Sequence, residues 1–282
     1  MEPYKINLIS LTLPEKDNYF NIWHPCPELE YVRPPFKYWE GVTIVTDELI
    51  AHPSVLNNLN SKVKIAWLVE PPVIKKEGYN SAISVEDYYD CIVTYDEKLL
   101  ARNPNKYRLM RFGAVWIEKE YMKIYPKTKK ISMILSNKTF APGHILRHQI
   151  YNDPWFADKV DFYGTGSKNP FEDGSLGRLK AFRDYKYSIV LENCRMKDYF
   201  TDKILDCFAT GTIPIYWGAT NAYEIFGGEN FLVFETIDQL KEIITSKLRD
   251  FDCQANFEAC KAYASPDANI LKIAKEYLNE SN

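Results

Sequence analysis

Four histidines among 282 residues leave little material for a metal centre or for histidine-dependent nucleophilic catalysis. Only His144 and His148 stand four apart, as two zinc ligands on one helix can, and no third ligand at helical spacing joins them, so no metal site is expected. The six cysteines (Cys26, Cys91, Cys194, Cys207, Cys253 and Cys260) are scattered without a CxxC. That excludes a zinc knuckle and a disulfide framework, and it points to a reducing compartment. No stretch approaches the roughly 18 apolar residues of a membrane span, and the first 30 residues hold no basic run ahead of an apolar one. A soluble, cytoplasmic protein is the expectation. The formal charge of −3 gives no global basic field for nucleic acid or an anionic membrane, so a charged partner has to be met by a local pocket. "GTGS" (164–167) is a glycine turn without the full G-x-G-x-x-G, which argues against a nicotinamide site.

What is present is an alternation of strands and helices. Apolar runs at 5–10, 41–47, 62–70, 89–97 and 107–117 are separated by polar or proline-bearing segments, and near-continuous runs of that kind suit strands buried on both faces of a parallel sheet. Residues 118–130 ("EKEYMKIYPKTKK") are charged and poorly periodic and read as a linker. Beyond it, strands at 131–136, 159–164, 187–192, 212–217 and 230–235 alternate with helices at 143–153, 176–185 and 201–210, before a helical tail. This predicts two βαβ domains in series, 1–122 and 123–282. Twenty tyrosines and six tryptophans supply the rings that pockets for bases and sugars use for stacking.

The segment "SIVLENCRMKDYFTDKILDCFATGTIPIYWGA" reads strand, loop, helix, strand. Ligands in parallel sheets sit beyond the carboxyl ends of strands and at helix N-termini, where this loop lies. Lys203, in the first turn of the helix that starts near Thr201, opposes the helix dipole, and an anion held between them would explain it. Asp202 suits sugar or ribose hydroxyls, and Tyr199 suits a ring. The same three residues also fit a plain capped helix with a solvated lysine and a core tyrosine.

The stretch "YKYSIVLENCRMKDYFTDKILDCFATGTIPIYWGA" resembles the donor-binding signature of glycosyltransferase family 10, the α1,3/4-fucosyltransferases, and is nearest in wording to bacterial members. That signature runs F-E-N-S, a gap, D-Y-x-T-E-K, a helix and a P-[IV]-x-x-G strand, and a weaker likeness extends on both sides. The resemblance implies a GT-B fold, two Rossmann-like domains with parallel sheets facing a central cleft, the N-terminal one on the acceptor side and the C-terminal one holding the nucleotide sugar. It implies GDP-fucose as donor and inversion at the anomeric carbon. Carried over by position, Tyr199, Asp202 and Lys203 grip ribose, sugar and diphosphate; Glu192 and Asn193 match the E-N pair at the strand end, where Glu192 serves equally as a strand cap. Arg147 in "ILRHQ" matches an arginine that neutralises the departing diphosphate; its alternative is a helix-surface arginine. One departure stands out: the family's E-K is D-K here, a methylene shorter, which bears on the nucleotide and sugar more than on the fold.

Inverting transfer requires a carboxylate to take the acceptor proton. "YDCIVTYDEKL" is similar to the family's "FD.....FDEL" segment, whose glutamate is its base, and this points to Glu97; Glu70 in "WLVEPP" is the second candidate. Asp250-Phe251-Asp252 lies at a helix end and does not suit the D-x-D of metal-dependent transferases. With Arg147 and Lys203 to neutralise the leaving group, no cofactor or divalent cation is required. The acceptor is expected to be a glycan, met by first-domain loops such as "WHPCPELEYVRPPFKYWEG". Two alternatives remain open: a transferase using a UDP-sugar such as UDP-xylose, and a catalytically silent nucleotide- or carbohydrate-binding protein on the same fold.

Overall fold

Parallel strands must bury both faces, and the chain meets that demand differently in its two compact units, 1–112 with 265–282, and 113–264. The computed structural model describes residues 2–11, 24, 26–33, 38–171, 175–228, 230–263 and 265–280. The first unit runs β1 (Tyr4–Ile9), β2 (Leu29–Val32), β3 (Trp39–Thr46), α1 (Pro53–Asn58), β4 (Ser61–Trp67), α2 (Lys76–Ser84), β5 (Cys91–Thr94), α3 (Glu97–Arg102) and β6 (Tyr107–Leu109). These strands form one sheet in the order β2-β1-β3-β4-β5-β6, every pairing parallel.

Alternate residues of its central strands go to opposite faces. Val45, Ala66 and Ile92 pack with Val55 of α1, Tyr79 and Ala82 of α2 and Leu99 of α3. Right-handed crossovers stepping in one direction, β3 to β6, place their helices on one side only. The other face, with Ile44, Ile65 and Val93, is covered by Ile270, Leu271, Ile273 and Ala274 of the last helix. That is the physical reason the C-terminal segment returns to the first unit rather than extending the second.

The second unit runs β7 (Lys129–Ile134), α4 (Pro142–Asn152), β8 (Asp161–Tyr163), α5 (Ser175–Phe182), β9 (Tyr185–Leu191), α6 (Asp202–Thr210), β10 (Ile213–Trp217), α7 (Ala222–Ile225), β11 (Leu232–Val233), α8 (Ile237–Glu242), a π-helical turn (Ile243–Lys247) and α9 (Cys253–Lys261); α10 (Asp267–Glu280) closes the chain. Its sheet order is β11-β10-β9-β7-β8, again all parallel. On α6 the apolar stripe Ile204, Leu205 and Phe208 is fully buried, and Gly211 ends the helix at φ 70°, with Thr212 N–H returning to the Cys207 carbonyl at 2.9 Å. A left-handed residue there favours glycine.

Three differences from the expected layout have local causes. The units part at Phe112–Gly113 rather than at 122/123, because Val115 and Ile117 belong to the second core. The apolar run 107–117 pairs only over Tyr107–Leu109. Leu29–Val32 forms an unforeseen strand inside the stretch expected to be an acceptor loop; it is four residues long, too short to show periodicity. Residues 23, 25 and 34–37 of that stretch lie outside the described residues. Among the described residues no helix is long and apolar enough to cross a membrane.

Ile270→Ala should destabilise the first unit by about 2–5 kcal/mol, the cost of a cavity in a closed core, read as a lowered midpoint in urea unfolding. An unchanged midpoint would contradict the packing assigned to α10.

Candidate functional site

In the second sheet the chain leaves β7 for β8 on one side and comes back as β9 on the other. At such a reversal the loops after the two central strands diverge and leave a crevice at their carboxyl ends. A cavity of about 990 Å³ lies there, lined by residues 134–140 at and after the end of β7 and by 188–191 and 193 at and after the end of β9, with residues from α4, α5 and α6. Of the residues singled out in the sequence, Arg147, Asn193, Asp202 and Lys203 line it.

Glu192 does not. Its carboxylate is fully buried and accepts from Thr201 N–H (2.9 Å), Thr201 hydroxyl (2.8 Å), Lys203 Nζ (3.3 Å) and Tyr216 hydroxyl (3.4 Å). A buried carboxylate is tolerated only with such a set of donors. The anion expected between Lys203 and the start of α6 is thus supplied by the protein. Thr201 caps the helix, and Lys203 Nζ also donates to its hydroxyl at 2.7 Å. The Lys203 side chain keeps 29% of its surface exposed, toward the cavity it lines. Two glycines make room: a Cβ on Gly218 would lie 2.5 Å from Glu192 Cγ, and one on Gly143 only 1.8 Å from the Glu192 carbonyl oxygen. Gly143 N–H instead donates to the Asn193 carbonyl at 2.9 Å, docking the start of α4 onto the end of β9.

Asp202 is committed differently from expectation. It pairs with Arg178, whose guanidinium also reaches Asp206 at 3.1 Å and stacks 4.8 Å above the Trp116 ring. Asp206 in turn accepts the Trp116 and Ile117 N–H groups at 2.7 and 3.1 Å. One cation between two buried acids cannot hold both ionised equally. Burial pushes Asp206 up to about 7, with the charge of Asp202 adding to the rise against the pull of Arg178. For Asp202, burial is outweighed by Arg178 and Lys203, which hold it at about 2. Arg178, Asp206 and Trp116 were not found from the sequence; each is unremarkable until three distant segments meet.

Two further cations, Arg147 and Lys138, line the cavity. Arg147 is 6% exposed and donates to the Leu191 carbonyl; burial lowers its pKa, and the charges of Glu192, Tyr199 and Asp202 oppose that. Lys138, on the exposed loop after β7, lines the same cavity. His144 is 4% exposed, and burial, then Arg147, Lys138 and Lys203, press its pKa down to about 4. Three cations bearing on one imidazole mark a region of positive potential. Lys138 and His144 were likewise missed as site residues.

Tyr199 is buried, 1% exposed, and is not part of the cavity lining. The loop that carries it is braced at Asp198, which sits at φ 61°: its N–H donates to Asn221 Oδ1 at 2.9 Å, and Asn221 Nδ2 donates to its carboxylate at 3.1 Å. In the first unit Glu97 is exposed at the first turn of α3, after Asp96, which caps that helix through Lys98 and Leu99 N–H. Glu70 is half-buried, with its N–H on Asp47 at 3.2 Å and its carbonyl accepting from Tyr79 at 3.0 Å. His148 Nε2 lies 3.0 Å from the Ser136 carbonyl oxygen. Among the described residues no three His, Cys, Asp or Glu side chains converge as a metal ion would need.

Residues 124–254 match the family model of the C-terminal part of glycosyltransferase family 10 (fucosyltransferase), which bears out the resemblance over most of the second unit. A fucosyltransferase-like protein of Arabidopsis thaliana is 29% identical over 86 residues, 30% of this chain and 16% of that protein. The α-(1,3)-fucosyltransferase of Helicobacter pylori is 34% identical over 92 residues, 30% of this chain and 17% of that protein. The chain thus covers about a sixth of the length of these curated relatives. Among solved structures, an α1,3-fucosyltransferase with GDP superposes with a TM-score of 0.57 at 17% identity, over 98% of this chain and 90% of its own. A structure of α1,3-fucosyltransferase with GDP-fucose gives 0.52 at 16%, over 92% and 81%. At that identity the likeness carries the fold, which is of GT-B type with two parallel-sheet α/β units.

The raised Asp206 sets a pH dependence. The folded protein holds a proton there that the unfolded chain has already lost, so this group's contribution to stability is greatest at and below about pH 4 and falls as pH rises toward 7, by on the order of a few kcal/mol. Thermal unfolding between pH 4 and 7 is expected to show that fall in the wild type and a flatter profile in Asp206→Asn. Equal profiles would refute the assignment.

Proposed function

We propose that the chain is an inverting glycosyltransferase that holds a nucleotide sugar in the second unit's cavity and transfers the sugar to a glycan hydroxyl, with GDP-fucose as the leading donor. The observation that carries this reading is the cationic wall formed by Arg147, Lys138 and Lys203 inside a cavity large enough for a nucleotide sugar. It is supported by the family match and by the solved α1,3-fucosyltransferases of similar fold that hold GDP or GDP-fucose.

The residues divide the work by charge. In the transfer, the acceptor oxygen attacks the anomeric carbon as the bond to the diphosphate oxygen breaks. Negative charge grows on the diphosphate, where Arg147, Lys203 and Lys138 compensate it in place of a divalent cation. Asn193 offers a neutral polar group on the same wall. Asp202, held by Arg178, accepts from ribose or sugar hydroxyls. Glu192 acts from behind the wall by fixing Lys203 and the start of α6, and Tyr199 by packing under the loop. Glu97 takes the acceptor's proton. Glu70 is retained as the competing base because its backbone is fixed from both sides. Six free thiols agree with work in a reducing, cytoplasmic compartment.

Calorimetric titration with GDP and UDP tests the donor. Arg147→Ala and Lys203→Ala should each weaken GDP binding at least about tenfold, or 1.4 kcal/mol. No affinity for either nucleotide would refute the reading, and preference for UDP would move the donor to a UDP-sugar such as UDP-xylose. Glu97→Gln should cut transfer by about 10²–10⁴-fold with nucleotide affinity unchanged. If Glu70→Gln produces that loss and Glu97→Gln does not, the base is Glu70. Binding without transfer to any glycan would indicate a silent binding protein.

A further inference from the structure

Val115 and Ile117 are fully buried in the second core, and Trp116 between them is turned outward. Its N–H donates to Asp206 Oδ1 at 2.7 Å, and the Ile117 N–H joins at 3.1 Å. The other oxygen of that carboxylate accepts from Arg178 at 3.1 Å. Arg178, paired as well with Asp202, lies over one face of the indole, 4.8 Å from the ring centre. One buried acid thus fixes both the backbone of Trp116 and the guanidinium against its ring. Yet 43% of Trp116 stays exposed, and it lines the cavity together with Arg178 and Asp202. With a guanidinium over one face, the open surface is the opposite face and the edge of the ring. A large aromatic backed by an ion-pair network, with a bare face in a cavity, is suited to stacking on a flat partner.

We infer that Trp116 is the stacking platform for the base of the bound nucleotide, guanine in the case of GDP. This rests on the donor-pocket reading above. The side chains are linked in the order in which a nucleotide presents its parts. Lys203 meets the diphosphate, its neighbour Asp202 meets the ribose hydroxyls, and Arg178, which pairs with Asp202, carries Trp116 at the base. Arg178 backs the ring and limits its rotation, so little freedom is lost when a base stacks on it. Its own charge is held by two acids, which leaves the diphosphate to the cations at the other group.

Calorimetry on the full chain with two probes, GDP and inorganic pyrophosphate, separates the base from the diphosphate. Trp116→Ala should weaken GDP binding about tenfold, within the range of one stacked base, and leave pyrophosphate affinity unchanged. Trp116→Phe should recover most of that loss. GDP should also quench tryptophan fluorescence in the wild type, and Trp116→Phe should lose most of that quenching. Unchanged GDP affinity in Trp116→Ala, or a wild type that binds GDP without quenching, would overturn the inference. An equal loss for GDP and pyrophosphate would overturn it too, because it marks a general disturbance of the pocket. So would a loss seen with GDP-fucose but not with GDP, which would put the sugar ring rather than the base on Trp116. A wild type that binds neither GDP nor UDP would refute the pocket reading itself; one that binds GDP while Trp116→Ala costs nothing refutes this inference alone.

Discussion

The second unit is organised around one buried carboxylate. Glu192 directly follows β9 and gathers the first residues of α6 through Thr201 and Lys203, so a strand end and a helix start about nine residues apart in sequence are locked together. Without those donors an ionised glutamate could not remain buried there. Without the glutamate, Lys203 would lose its fixed place and α6 the brace on its capping threonine. Tyr216, which bonds Glu192 and also accepts from Ala219 N–H at 3.0 Å, ties the β10 loop into the same knot. Gly143 and Gly218 leave the space that the arrangement needs.

Around that knot the cavity separates its charges. Arg147, Lys138 and Lys203 are gathered without enough acids to neutralise them in the lining. Arg178, by contrast, is held by Asp202 and Asp206 and covered by Trp116, so it adds little positive potential. On the proposed reading the first group would take a diphosphate and the second an uncharged, hydroxyl-rich partner. The Asp202 carboxylate is directed by its pairing with Arg178.

The first unit depends on the same sheet logic with a different solution. Its crossover helices cover one face, and the C-terminal helix is recruited to the other. Chain order alone would assign α10 to its sequence neighbours, yet an uncovered apolar face on a parallel sheet is the stronger constraint.

The sequence by itself determined the alternation of strands and helices, the span and both ends of α6, and the grouping of Asn193, Asp202 and Lys203. These are local matters: hydrophobic period, a threonine cap, a glycine stop and residues within a dozen positions of each other. Tertiary structure decided what those side chains touch. Arg178 meets Asp202 across 24 residues, and Asp206 meets Trp116 across 90; nothing in spacing marks such partners. Whether Glu192 faced a ligand or the interior, and whether His144 was a surface residue or a neutral ring among cations, turned on the packing of α4 and α6 against the end of β9. Burial and net charge at a point are sums over the whole fold, which no single segment of sequence contains.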